Sequence, residues 1–285
     1  MRLLVTGASG FIGGRVAGAL AGSHEIVRAG RGAHDGMLAA DLAAPGACES
    51  LLDAAKPHAV IHCAAVADPD ACEKDPQRAR SLNALAAGAL AKACAERGVR
   101  LICVSTDLVF DGSAPPYQES DRPNPLSVYG RTKLEGERRA LLNCPSAAVV
   151  RVALVYGRSG GGRPSFLDWL LGELKAGRRP RLFVDQWRTP TPVAQLPEVF
   201  ARLAAKPELK GVFHWAGAQR VSRWEFGQAV CRLFGLDESL LQPARLDDFP
   251  FTAARPRDVS LRCETLPKAL DLAPLSLEAG LRLER

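Results

Sequence analysis

The feature that most constrains the fold is the run Thr6-Gly7-Ala8-Ser9-Gly10-Phe11-Ile12-Gly13. It follows a short apolar stretch, Leu3-Leu4-Val5, and opens a segment of helical character from Phe11 to Leu20. Strand, glycine turn and helix in that order form a phosphate cradle. Missing side chains let the backbone approach a pyrophosphate, and the helix N-terminus offers free N–H groups and partial positive charge. The run predicts dinucleotide binding by Gly7, Ser9, Gly10, Phe11, Ile12 and Gly13.

The unit then repeats in kind. Strands are expected over 25–28, 59–65, 101–105 and 147–156. Helices are expected over 45–55, 76–97 and 129–142, the second marked by Ala79, Leu82, Ala86, Leu90 and Ala93 and ended by Gly98. Such alternation predicts an α/β chain with a doubly wound parallel Rossmann sheet. Residues 157–164 (Gly-Arg-Ser-Gly-Gly-Gly-Arg-Pro) read as a loop or lid. Beyond it the elements shorten: a helix over 195–205, a strand over 211–215, a helix over 223–233, and mostly loop over 243–257. The expected division is a cofactor-binding domain over 1–156, completed by about 190–217. A smaller C-terminal substrate-binding cap would use 157–189 and 218–285.

Charge and composition exclude several classes. The 285 residues carry 37 Lys+Arg and 31 Asp+Glu, a net +6, with 6% aromatics. A nucleic-acid surface would concentrate its charge on one stripe with aromatics between, and none is visible, so no nucleic-acid partner is expected. No apolar stretch approaches the roughly 20 residues of a membrane span, so no membrane partner is expected. Eight cysteines lack any CxxC spacing, so no metal is expected. They read as small buried hydrophobes, and the expected location is the reducing cytoplasm. Arg15 interrupts the apolar stretch that a secretion signal would need.

An acidic residue after the second strand would hold the ribose hydroxyls of NAD. Here Val27-Arg28-Ala29-Gly30-Arg31 places arginines there, although Asp35 is near in sequence. Arg31 suits a 2′-phosphate, so NADP (as NADPH) is expected, with NAD the alternative. Asp41 and Leu42, after a short third strand, would bracket the adenine. Tyr129 and Lys133 lie four apart on one helix face, and Ser105-Thr106 end a buried strand. An ammonium beside a phenol favours its ionised form, so Lys133 is expected to pull Tyr129 toward neutrality. Thr106 would donate to a substrate carbonyl oxygen.

Joined together, these motifs resemble the extended short-chain dehydrogenases/reductases and, within them, the dTDP-4-dehydrorhamnose reductase family. The resemblance spans essentially the whole chain and is carried by TGASGFIGG, VIHCAA, STDLVFDG, PLSVYGRTKLEGE, DQWRTPTPV and RPRDVSL. It implies Thr106, Tyr129 and Lys133 as the catalytic triad, with Lys133 also on the cofactor ribose. It implies Asn83 as a helix residue that kinks the backbone and anchors a relay water. The cofactor wall would extend to Cys63, Ala64 and Ala65. The implied reaction is NAD(P)H-dependent reduction of the 4-keto group of a nucleotide-activated deoxysugar. Arg188, Arg255 and Arg257 would bind its diphosphate, and Arg178, Arg179 and Arg181 would be solvated. The resemblance leaves a homodimer open.

Two family aromatics are replaced, by Leu108 and Leu154, which bears on the sugar. Asp107 is followed by Leu108, so a dehydratase's second carboxylate is missing. The same segments also resemble the regulatory β subunit of methionine adenosyltransferase, a non-catalytic NADP-binding partner protein. That is the alternative reading.

Overall fold

A computed structural model describes residues 1–32, 36–159 and 164–285. Seven strands form one parallel sheet: β1 (Arg2–Thr6), β2 (Glu25–Gly30), β3 (Met37–Ala39), β4 (Ala59–His62), β5 (Arg100–Thr106), β6 (Ala148–Val152) and β7 (Gly211–Trp215). Their order across the sheet is β7-β6-β5-β4-β1-β2-β3. Order reverses between β1 and β4, which is where an open parallel sheet offers a crevice.

Both faces of the sheet are covered, so its central strands are apolar throughout rather than alternating. Leu3 and Val5 of β1 point to one side, into a core closed by α1 (Phe11–Leu20), and Leu4 points to the other. That second face is packed by α2 (Ala47–Ala55). All seven residues of β5 are buried. Each fully buried Leu or Val in these layers contributes roughly 1.5–3 kcal/mol.

Three short helical pieces follow β4: α3 (Pro69–Lys74), α4 (Pro76–Arg80) and, after one π-turn over Ser81–Leu85, α5 (Ala86–Glu96). The expected single helix over 76–97 is therefore interrupted at Asn83. Next comes α6 (Val128–Asn143), the longest helix described, which packs along α5.

The expected strand over 147–156 also divides. β6 leaves the sheet after Val152, because Leu154 adopts φ 27 and turns the chain. Val155–Tyr156 then pairs with Thr191–Pro192 instead. Most of the later helices build a second apolar cluster: α7 (Phe166–Lys175), α9 (Arg223–Phe234) and α11 (Leu277–Arg282) pack around Tyr156 and Phe226. By contrast α8 (Leu196–Ala204) and α10 (Thr265–Leu270) return to the β1 core through Phe200, Leu266 and Leu270. Among the described residues, no helix is long and apolar enough to cross a membrane.

Candidate active site

Two adjoining clefts open at the carboxyl ends of β1, β4 and β5, sharing Cys63, Ala65 and Ala67. One measures about 400 Å³ and the other about 370 Å³.

The first is the glycine cradle. Gly7 has φ 67 and lies so close to the β4 end that a Cβ there would stand 2.7 Å from the Ala64 nitrogen. At Gly13 a Cβ would meet the Gly7 carbonyl oxygen at 2.3 Å. The turn and α1 can pack this closely only without side chains. Gly10 begins α1 with no capping side chain and no acid in the first turn, leaving the amide end of the helix open. Gly7, Ser9, Gly10, Arg31, Leu42, Cys63, Ala64 and Ala65 line this cleft. Asp41 does not: its carboxylate accepts the Ala43 N–H, and it faces a separate shallow groove. Arg28 is exposed on β2 and does not line the cleft, so of the two sequence arginines only Arg31 does. Asp35 lies outside the described residues. Arg78, which sequence reading missed, joins Arg31 in the lining. Beneath the turn, Thr6 Oγ1 and His62 Nδ1 lie 2.8 Å apart, and burial with Lys133 nearby holds the imidazole neutral, its pKa pushed down to about 3.

The second cleft holds Phe11, Ile12, Thr106, Tyr129 and Lys133 together. Their meeting is built by α6. Ser127 caps it by accepting the Gly130 N–H, and at Gly130 a Cβ would stand 2.2 Å from the Leu108 carbonyl oxygen. A glycine directly after Tyr129 thus lets the helix press onto the turn that follows Thr106. Thr106 Oγ1 donates to Asp107 Oδ1 at 3.1 Å and accepts the Leu108 N–H at 3.2 Å, and it lines the same cleft as the Tyr129 phenol. Lys133 Nζ, one turn further along, donates to the Val104 carbonyl at 2.8 Å.

The electrostatics correct one sequence expectation. The Tyr129 phenol is pushed up, not down, because burial dominates and Asp107 adds negative charge, while the contact with Thr106 only partly offsets this. Burial also lowers Lys133, against the opposing pull of Cys103 and Glu137. Behind it Glu137 is held in a buried bidentate pair by Arg151, at 3.0 and 2.7 Å. Asn83 is fully hydrogen-bonded: its Oδ1 accepts the Val66 N–H at 2.8 Å, and its Nδ2 donates to the Val66 carbonyl and to Thr132 Oγ1, both at 3.1 Å. It therefore pins the chain after β4 to the π-turn and to α6.

The far wall is rich in guanidinium groups. Arg188 is buried, 3.3 Å from the Asp107 carboxylate, and donates to the carbonyls of Trp187, Pro256 and Arg257. Arg255 reaches Asp70 at 2.6 Å and lies over the Phe251 ring. Arg257 departs from expectation. It is drawn away to Asp185 and Asp247 and does not line the cleft. Arg223, which no sequence motif signalled, and Gln186, which lies in the DQWRTPTPV segment but was given no role, do line it. Leu108 and Leu154 lie in the same wall. Outside the cleft, Arg178 pairs with Glu173, and Arg181 pairs with Asp248. The expected lid falls partly on residues 160–163, which lie outside the described residues.

Comparison with known proteins places this geometry in context. The family model of the RmlD substrate binding domain matches residues 1–283. The chain is 36% identical over 274 residues to the methionine adenosyltransferase 2 subunit beta of Bos taurus, covering 93% of this chain and 81% of that one. It is 35% identical over 234 residues to the probable low-salt glycan biosynthesis reductase Agl14 of Haloferax volcanii, covering 81% and 78%. Among solved structures it superposes on the dTDP-4-dehydrorhamnose reductase of Bacillus anthracis, crystallised in complex with NADP, with a TM-score of 0.91. That pair shares 27% identity, over 99% of this chain and 98% of the other. With a glycine cradle, a Thr-Tyr-Lys wall and a match over nearly its whole length, the chain belongs to the RmlD substrate-binding family of extended reductase folds.

Proposed function

We propose that this protein is an NADPH-dependent reductase acting on the 4-keto group of a nucleotide-activated sugar. The observation that carries the reading is the convergence of Thr106, Tyr129 and Lys133 on one buried wall, directly continuous with the glycine cradle.

A dinucleotide fits the cradle. The close approaches at Gly7 and Gly13 leave backbone where a pyrophosphate needs it, and Arg31 and Arg78 add positive charge where a 2′-phosphate would lie. When bound, NADPH supplies the hydride that reduces the carbonyl carbon. Cys63, Ala64 and Ala65 would support it from the β4 side, and Lys133 would hold its ribose. Similarity to the NADP complex supports this choice, with NAD the second option.

The remaining work falls to side chains. Thr106 donates to the carbonyl oxygen and fixes its position. Tyr129 gives its proton to the alkoxide as it forms. Reduction needs a protonated phenol, the ordinary form of tyrosine at neutral pH, and burial moves Tyr129 further toward it. Asn83 holds the π-turn against α6 and so sets the wall's position. Arg188 and Arg255 would engage the diphosphate, since guanidinium groups pair bidentately with such oxygens. The elements over 157–189 and 218–285 act as the substrate cap. The described cysteines are free, in keeping with a reducing cytoplasm.

A second reading, a regulatory NADP-binding subunit, is favoured by the 36% identity to methionine adenosyltransferase 2 subunit beta. The test is direct: purified protein is given NADPH and a panel of dTDP- and UDP-linked 4-keto sugars, and absorbance loss is followed. Turnover supports the reductase. Cofactor binding with no turnover on any of them supports the regulatory reading.

A further inference from the structure

The guanidinium wall of the second cleft carries more positive charge than the carboxylate in the lining balances. Arg188, Arg223 and Arg255 line it with Lys133, and Asp107 is the one carboxylate among the described lining residues. Arg255 has its own partner in Asp70. Asp107 is therefore left between Arg188, at 3.3 Å, and Arg223, whose charge it also feels.

Arg223 is held firmly in place. Trp187–Arg188 pairs antiparallel with Val221–Ser222, so Arg188 lies beside the strand that leads straight into α9. Ser222 closes a capping box with Glu225, and the Arg223 N–H donates to the Gln186 carbonyl. Its Nε donates to Gln186 Oε1 at 3.1 Å, and its guanidinium lies over the Phe166 ring at 4.6 Å. Nη1 is buried with no hydrogen-bond partner among the described residues. A fixed guanidinium with an idle donor, facing a cleft and lacking a carboxylate of its own, is built for an anion supplied by the ligand.

Its place says which anion. Asp107 directly follows Thr106 and accepts its hydroxyl at 3.1 Å on one oxygen, while its other oxygen lies 3.3 Å from Arg188, so the Arg188–Arg223 pair lies beside the Thr106 hydroxyl that faces the reacting carbonyl. Arg255 lies on the side of α3, through Asp70. With the carbonyl at Thr106 and Tyr129, an anionic substituent on a neighbouring ring carbon would have Arg223 in the same cleft lining as its partner.

We propose that Arg223, beside Arg188, is a specificity residue for a carboxylate carried by the sugar, so that the substrate class is an acidic, uronate-type nucleotide sugar. This rests on the nucleotide-sugar reading above. Leu108 and Leu154, in place of the aromatics that the family resemblance implies, leave apolar side chains in the same lining as the guanidinium groups.

The test is calorimetry on the NADP-loaded protein with bare UDP, UDP-glucose and UDP-glucuronate, repeated with the thymidine series. Wild type should bind the glucuronate at least about 10-fold more tightly than the glucose form, the scale of one charged hydrogen bond. Arg223→Met should bring that ratio to about one, and Arg223→Lys should keep part of it, with thermal melting confirming that both variants fold. Equal binding of acidic and neutral sugars by wild type overturns the proposal. So does an Arg223→Met loss for bare UDP as large as that for the glucuronate, since the guanidinium would then read the diphosphate. Failure of every nucleotide sugar to bind would instead remove the nucleotide-sugar reading itself, a separable result.

Discussion

The two clefts meet at Cys63, Ala65 and Ala67, yet they are assembled by opposite means. The glycine cleft draws most of its wall from contiguous runs, Thr6–Gly10, Ala29–Arg31 and Cys63–Asp68, and its shape is backbone shape. The guanidinium wall draws on Asp107, Gln186, Arg188, Arg223 and Arg255, scattered across the chain, and its shape is a matter of which arginine finds which carboxylate. Backbone constraints leave a mark in spacing, because a glycine is needed wherever chains nearly touch. Charge pairing leaves none, because an arginine reads the same whether it is claimed by a neighbour or free for a ligand.

If that contrast is right, the largest effect comes from filling the backbone contact. Gly13→Ala puts a methyl 2.3 Å from the Gly7 carbonyl oxygen. It should weaken NADPH binding by roughly 100-fold or more and cost about 1–3 kcal/mol in stability, as overpacking does. A fluorescence titration showing unchanged affinity would break the backbone half of the comparison.

The arginine half is sharpened by two neighbours in one segment. Both are paired, Arg255 with Asp70 and Arg257 with Asp185 and Asp247, but only Arg255 also lines the cleft. Arg255→Ala should raise the substrate KM by about 10-fold, the value of one charged hydrogen bond. Arg257→Ala should change it by no more than about twofold. Equal effects in steady-state kinetics would mean that a place in the cleft lining does not decide function here.

The smallest effect tests an exposed side chain on the backbone cleft. Arg31→Ala should narrow the preference for NADPH over NADH by several-fold, within the roughly 10-fold worth of an exposed charged contact. A wild-type protein that binds NADH as well as NADPH would remove that role.

The same contrast explains what the sequence disclosed. β1, the glycine turn and α1 were legible because apolar run, glycine spacing and helix fall within twenty residues. Tyr129 and Lys133 were legible as a pair on one helix face, and the structure puts them in one cleft with Thr106. The direction of the Tyr129 shift was not, because it depends on burial and on Asp107, which only the folded chain brings near. The break at Leu154 was hidden as well, since positive φ at a leucine has no signature in composition. Arg257 was read from its RPR segment and misplaced, and Arg223 sat in a plain helix start with nothing to mark its idle donor.

The central claim is that the wall of Thr106, Tyr129 and Lys133 performs a reduction, and Tyr129→Phe under saturating NADPH tests it most directly. Phenylalanine keeps the ring and its packing but removes the proton. The account predicts that single-turnover reduction of an accepted 4-keto nucleotide sugar falls by roughly 10²- to 10⁴-fold, the usual worth of a general acid, while cofactor affinity stays within about twofold. Undiminished reduction by Tyr129→Phe would contradict it.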